Sequence, residues 1–120
     1  MRISRQAFIY PRRLVLYAVY DILDYAQANY ERCHDTGQIE ARIRVFGNES
    51  GFVFRFTESP EETIMEVSIT EPAVGLSENG QQRALRFLCD GIAQRLENEL
   101  RDVRPDVLEY LRRAMTGEAI

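Results

Sequence analysis

Apolar and polar residues alternate with a period of two in four stretches of the chain, and each stretch predicts a β-strand. The first covers residues 2–10, with Ile3, Ala7 and Ile9 on one side. The other three follow one another closely as GQIEARIRVF (37–46), GFVFRF (51–56) and TIMEVSIT (63–70). Because the turns between these three are short, we expect an antiparallel meander with one apolar face.

Three further stretches repeat their apolar residues at helical spacing. The first helix is expected from about residue 12 to 33, with a stripe formed by Val15, Val19 and Ile22. A second long helix should follow an N-cap at Ser77 or Asn79. Its apolar stripe consists of Leu85, Leu88, Ile92 and Leu96. Pro105 should open a short third helix near the end of the chain.

The element order is therefore β-α-β-β-β-α-α, which predicts the α+β class. We expect a small four-stranded antiparallel sheet with the long helices packed on one face. A chain of 120 residues, 45% of them hydrophobic, is long enough to build one core. Since no repeat or long linker interrupts the pattern, residues 1–120 are expected to form a single domain.

The distribution of charge disfavours nucleic acid as a partner. The net charge is −4, and residues 49–78 carry seven glutamates beside Arg55 alone. A nucleic-acid binder needs a concentrated basic face that displaces counterions from phosphates. The nearest basic group is small and consists of Arg2, Arg5, Arg12 and Arg13.

All 15 cationic residues are arginine, so lysine Schiff-base chemistry and a lysine general base are excluded. Two cysteines are too few for a disulfide scaffold. The first residues contain no apolar run typical of a signal peptide, and no segment reaches the roughly 18 apolar residues of a membrane span. We therefore expect a cytoplasmic protein with reduced thiols and no membrane contact.

Residues suited to catalysis are scarce. His34 is the single histidine, so a zinc site or a Cys–His pair would have to combine it with Cys33 or Cys89. Cys89 lies among the leucines of the second helix, where a buried thiol is inert. No nucleophile elbow or glycine-rich phosphate loop supports another mechanism. We therefore predict no catalytic residue, no metal site and no cofactor, and a protein that is not an enzyme.

The first helix places tyrosine beside aspartate on the side away from its apolar stripe. Tyr17 and Asp21 are four residues apart, as are Tyr20 and Asp24, so each pair is adjacent on the helix surface. Tyrosine is favoured where a protein meets a partner, which makes these four residues a candidate contact surface. The alternative is an ordinary amphipathic helix whose tyrosines lie partly over neighbouring elements.

The phenylalanines offer a second candidate site, an apolar pocket between the sheet and the second helix. Its lining residues would be Phe52, Phe54, Phe56 and Phe87. The competing interpretation is that a domain this small needs its aromatic residues to fill the core. The element order resembles a shortened helix-grip domain, and this resemblance implies a small apolar ligand. FIYPRRLVLYAVYDILDYA (8–26) is also similar in pattern to the opening of small accessory proteins from peptide-maturation systems.

Two hypotheses for function follow. The first is a small non-enzymatic interaction or accessory protein that self-associates as a homodimer. The second is a helix-grip-like module that binds a small ligand in the aromatic pocket. For the homodimer, the candidate contact residues are Leu108, Leu111 and Met115, because the short third helix needs something to cover its apolar stripe. A two-fold pairing needs only one self-complementary patch.

Sedimentation of the intact chain and of Leu111→Asp at micromolar concentration tests the homodimer. A carboxylate buried in the contact should dissociate the dimer, whereas a helix docked on its own domain would show lost stability instead. A wild-type chain that sediments as a monomer at every concentration contradicts the prediction.

Overall fold

The computed structural model describes residues 2–33 and 35–100, with the side chains of 99 and 100 left aside. Its elements are β1 (Arg2–Phe8), α1 (Arg12–Tyr25), β2 (Asn29–Arg32), β3 (Ile39–Val45), β4 (Asn48–Glu58), β5 (Thr63–Glu71) and α2 (Glu78–Leu100). The α+β class is confirmed. The third helix and the contact residues Leu108, Leu111 and Met115 lie outside the described residues.

The sheet has five antiparallel strands rather than the predicted four, in the order β1-β5-β4-β3-β2. Both helices contact one face of it, since α2 packs against β1 and β5 and α1 packs against β4 and α2. On β3, Ile39, Ala41, Ile43 and Val45 are buried and the charged residues between them are exposed. One face of the sheet is therefore apolar and covered by helices, and the other face carries charge.

The fifth strand arises because α1 ends at Tyr25, well before the predicted end at about residue 33. Gln27 has a φ of 54°, in the left-handed region, and its N–H donates to the Asp24 carbonyl at 3.0 Å. The N–H of Ala28 donates to the Leu23 carbonyl at 2.9 Å. These two bonds form a Schellman motif, which normally has glycine at the position of Gln27. Because this position is glutamine and not glycine, the sequence contains no signal for the end of α1.

The side of β1 that faces the core was predicted wrongly. Ile3 is 45% exposed on the helix-free face, whereas Ser4 faces α2 and accepts a hydrogen bond from the Cys89 thiol at 3.7 Å. Phe8 fixes this orientation, because it is buried in the core and shares a face with Ser4. As an edge strand, β1 can therefore turn the polar Ser4 toward α2.

Helix α2 begins and packs as its sequence predicts. Of the two predicted caps, Ser77 is the one that bonds the helix, since its hydroxyl accepts the Gly80 N–H at 3.0 Å. Leu88 and Ile92 are 1% and 0% exposed, which confirms the apolar stripe. A Cβ added at Gly91 would lie 3.6 Å from the Ile22 side chain, an ordinary contact distance, so α1 and α2 pack together at this point.

Gln27→Gly is expected to stabilise the protein by about 1 kcal/mol, because a residue with a Cβ pays that much in the left-handed region. Urea unfolding monitored by circular dichroism measures the change. Gln82→Gly is the matched control, since Gln82 lies inside α2 and glycine there should cost about 0.5–1 kcal/mol. A loss of stability in both variants would show that Gln27 is not strained by its left-handed conformation.

Candidate functional site

Residues from α1, β2 and the end of β4 line a cavity of about 400 Å³. They are Arg12, Arg13, Leu16, Tyr17, Tyr20, Arg32 and Glu58. Tyr17 and Tyr20, two of the four predicted partner-surface residues, therefore lie together. Sequence reasoning missed the contribution of Arg32, because the predicted helix through residue 33 hid the strand that carries it. We call this site the arginine cavity.

The other two predicted surface residues have different surroundings. Asp21 is exposed, and Asp24 accepts a hydrogen bond from the Tyr30 hydroxyl of β2 at 2.7 Å. This bond, together with partial burial, raises the pKa of Tyr30. The ring of Tyr30 also packs against Tyr20, with 5.7 Å between ring centroids. The partner of Asp24 is therefore Tyr30 of β2 and not Tyr20. The ring contact with Tyr30 supports the Tyr20 ring beside the arginine cavity.

As far as the structure describes the chain, the guanidiniums of the arginine cavity are unpaired, as are those of Arg83, Arg86 and Arg95 on α2. Within the described part of the chain, the side chains of Arg12, Arg13 and Arg32 form no ion pair and no hydrogen bond. The single carboxylate of the cavity belongs to Glu58, which accepts the backbone N–H of Arg12 at 2.8 Å. Three guanidiniums thus face one carboxylate, and that carboxylate already caps the start of α1.

On the helix-free face of the sheet, by contrast, three arginines form ion pairs with glutamates. Glu66 lies between Arg5 at 2.9 Å and Arg55 at 3.7 Å, and Arg42 binds Glu71 at 2.8 Å. An open groove of about 680 Å³ crosses this face between Arg42 and Arg55. Its lining carries three glutamates and two arginines, so the groove has no excess of positive charge that would attract an anion.

Three of the four predicted pocket residues share the inward face of β4, and the fourth, Phe87, lies elsewhere. Phe52 and Phe54 are 1% and 0% exposed and belong to the core, where Phe56 packs against it at the margin. Phe87 lies on the outer side of α2 and is 55% exposed. The aromatic residues of β4 therefore fill the interior, and Phe87 belongs to a different surface.

Phe87 packs instead against Phe46, edge to face, with 5.2 Å between ring centroids. Phe46 and Gly47 form the two-residue turn between β3 and β4, and both have positive φ, 51° and 83°. Such a type I′ turn favours Asn-Gly, and a bulky residue at its first position is an outlier. Phe46 remains 64% exposed, so the pair forms an aromatic patch at the tip of the hairpin.

The two cysteines have opposite environments. Burial raises the pKa of Cys89, which is 3% exposed in the core, as its setting among leucines predicts. The pKa of Cys33 is lowered, because its thiolate accepts hydrogen bonds from the Thr36 hydroxyl and from the N–H groups of Thr36 and Asp35. Cys33 lies at the end of β2 and not in a helix.

The structure bears only in part on the predictions for a zinc site, a Cys–His pair and a membrane span. His34, on which any zinc or Cys–His site would depend, lies outside them. Within residues 2–33 and 35–100, no three of His, Cys, Asp and Glu are grouped closely enough to hold a metal ion. Neither described helix is long and apolar enough to cross a membrane.

Iodoacetamide should alkylate Cys33 of the folded protein well before Cys89, because the thiolate is the reactive form and Cys89 is buried. Peptide mass spectrometry after timed labelling at neutral pH measures both rates. Thr36→Val should slow labelling at Cys33, since the pKa rises when the hydroxyl donor is lost. Equal rates at the two cysteines would contradict the assigned environments.

Comparison with known proteins finds a structure with a similar fold but does not identify a family. No protein family matches the sequence, and no curated protein has a detectably similar sequence. The chain is similar in structure to CalU16 from Micromonospora echinospora, with a TM-score of 0.56 and 13% sequence identity. The similarity covers 96% of this chain and 85% of CalU16. At this identity the comparison shows a shared fold alone.

Proposed function

We propose that this chain is a non-enzymatic interaction protein that self-associates, and that Phe46 and Phe87 form part of its contact surface. The observation that carries the proposal is the exposed aromatic pair at the tip of the β3–β4 hairpin. Large exposed aromatic residues in contact with each other are typical of surfaces that bind another protein.

The backbone at Phe46 supports a role for this side chain outside the fold. A residue with a bulky side chain at positive φ costs about 1–3 kcal/mol, and such strain is concentrated at functional positions. The ring contact with Phe87 returns only about 0.5–1.5 kcal/mol. Asparagine would suit the turn better and would leave no apolar surface. An exposed aromatic residue at a strained turn position therefore supports a role for Phe46 in a contact with another protein.

The filled interior favours this proposal over the helix-grip-like ligand module. An apolar ligand would need a cavity between the sheet and α2, but Phe52, Phe54 and Phe56 are packed in or against the core and Phe87 faces outward. The cavity that touches both Phe52 and α2 residues has a volume of about 50 Å³. Pockets for small organic molecules are usually about 300–1,000 Å³.

Self-association is the simplest assembly for such a patch. In a two-fold dimer the same residues meet on both subunits, so one aromatic patch is sufficient. Aromatic residues near the centre of a contact contribute strongly to binding. The candidate residues Leu108, Leu111 and Met115 remain a separate prediction for the same dimer, and Leu111→Asp tests them independently.

Phe46→Asn should weaken the dimer by roughly tenfold or more while leaving the stability of the fold within about 1 kcal/mol of wild type. Relief of strain, about 1–2 kcal/mol, offsets the lost ring contact. Sedimentation equilibrium measures the first effect and thermal unfolding of the dilute protein measures the second. Phe87→Gln should weaken the dimer similarly.

Tyr25→Gln is the control, since Tyr25 is 85% exposed on α1 and the described residues give it no ring partner. It should dimerise as the wild type does. A dimer that persists unchanged in both phenylalanine variants would remove the aromatic patch from the contact. A monomeric wild-type chain would end the proposal of self-association.

A further inference from the structure

We propose that the arginine cavity binds a small organic phosphate, with Arg12, Arg13 and Arg32 holding the phosphoryl group. This site is separate from the proposed dimer contact. The inference rests on three arginines from two elements that line one cavity, on their lack of described partners and on a volume large enough for a ligand.

The charge of the cavity matches a phosphate monoester. Its three guanidiniums and one carboxylate leave two uncompensated positive charges. A phosphate monoester carries about −1.5 to −2 at neutral pH and has three strong acceptor oxygens. Arginine binds such oxygens through two parallel N–H bonds, and the three oxygens of a phosphoryl group can accept from more than one guanidinium at once. A dianion would therefore neutralise the site without an additional cation.

The organic part of the ligand would contact the tyrosine side of the cavity. Tyr17 and Tyr20 lie one turn apart on α1, next to Leu16. Tyr20 is held by the ring of Tyr30, so this wall is preformed. The volume of about 400 Å³ falls within the range of small-molecule pockets. These features favour a phosphate attached to a planar or apolar group over inorganic phosphate.

An extended polyanion fits the surface less well. The chain has a net charge of −4, and Arg5, Arg42 and Arg55 on the helix-free face are already paired with glutamates. A nucleic acid would need a continuous track of unpaired cations along its backbone. The arginine cavity gathers three unpaired arginines at one small site, which suits a small ligand.

Isothermal titration calorimetry at constant ionic strength tests the proposal with phenyl phosphate, inorganic phosphate and phenyl sulfate. We expect saturable one-to-one binding of phenyl phosphate, weaker binding of inorganic phosphate, and weaker binding still of the monoanion phenyl sulfate. Affinity for phenyl phosphate should fall as the pH drops below about 6, where the monoester gains a proton.

Variants assign the binding to named residues. Arg13→Gln and Arg32→Gln should each weaken binding about tenfold or more, because each removes a charge-assisted hydrogen bond. Glu58→Gln should strengthen it, since the competing carboxylate is lost and the amide oxygen can still accept the Arg12 N–H. Arg86→Gln changes an exposed arginine of α2 outside the cavity and should bind as wild type. Thermal unfolding confirms that each variant is folded.

Three results would overturn the proposal. The first is no saturable binding of phenyl phosphate. The second is binding that Arg13→Gln and Arg32→Gln leave unchanged. The third is a single-stranded oligonucleotide that binds the same residues in preference to phenyl phosphate, which would assign the cavity to a polymer.

Discussion

The burial of one sheet face beneath α2 is the constraint on which the other features depend. Leu85, Leu88 and Ile92 are almost completely buried against the strands, and each contributes about 1.5–3 kcal/mol by leaving water. Helix α1 packs against α2 and against β4. The position of α1, and with it the surface that carries Tyr17 and Tyr20, therefore depends on the packing of α2 on the sheet.

The long periodic stretches were predictable because burial alone determines them. Ile39, Ala41, Ile43 and Val45 alternate with charges, and Leu88 and Ile92 recur at helical spacing, so one face is identified in each case. Strand β1 was not predictable in this way. Its inward face carries Ser4 and its outward face Ile3, since an edge strand buries less and Phe8 decides its orientation. Small apolar residues on an edge strand do not determine which face is inward.

The end of α1 and the β3–β4 turn also differ from the sequence prediction. In both places a non-glycine residue has a positive φ. Gln27 ends α1 and Phe46 opens the β3–β4 turn, and glycine or asparagine is the usual signal at both positions. The missing signal at Gln27 concealed β2, and with it the place of Arg32 in the arginine cavity. The two residues differ in surroundings. The described residues give the side chain of Gln27 no hydrogen bond, whereas Phe46 packs against Phe87.

Strand β4 relates the two proposed sites to each other. It begins at Asn48, directly after the Phe46-Gly47 turn, and ends at Glu58, which lines the arginine cavity. At about 3.3 Å per residue, its two ends are roughly 30 Å apart. Substitutions separated by so large a distance, with no shared partner, act almost independently on stability. The aromatic patch and the arginine cavity can therefore be altered one at a time, and a ligand in the cavity can be bound by a subunit whose hairpin tip is engaged with a partner.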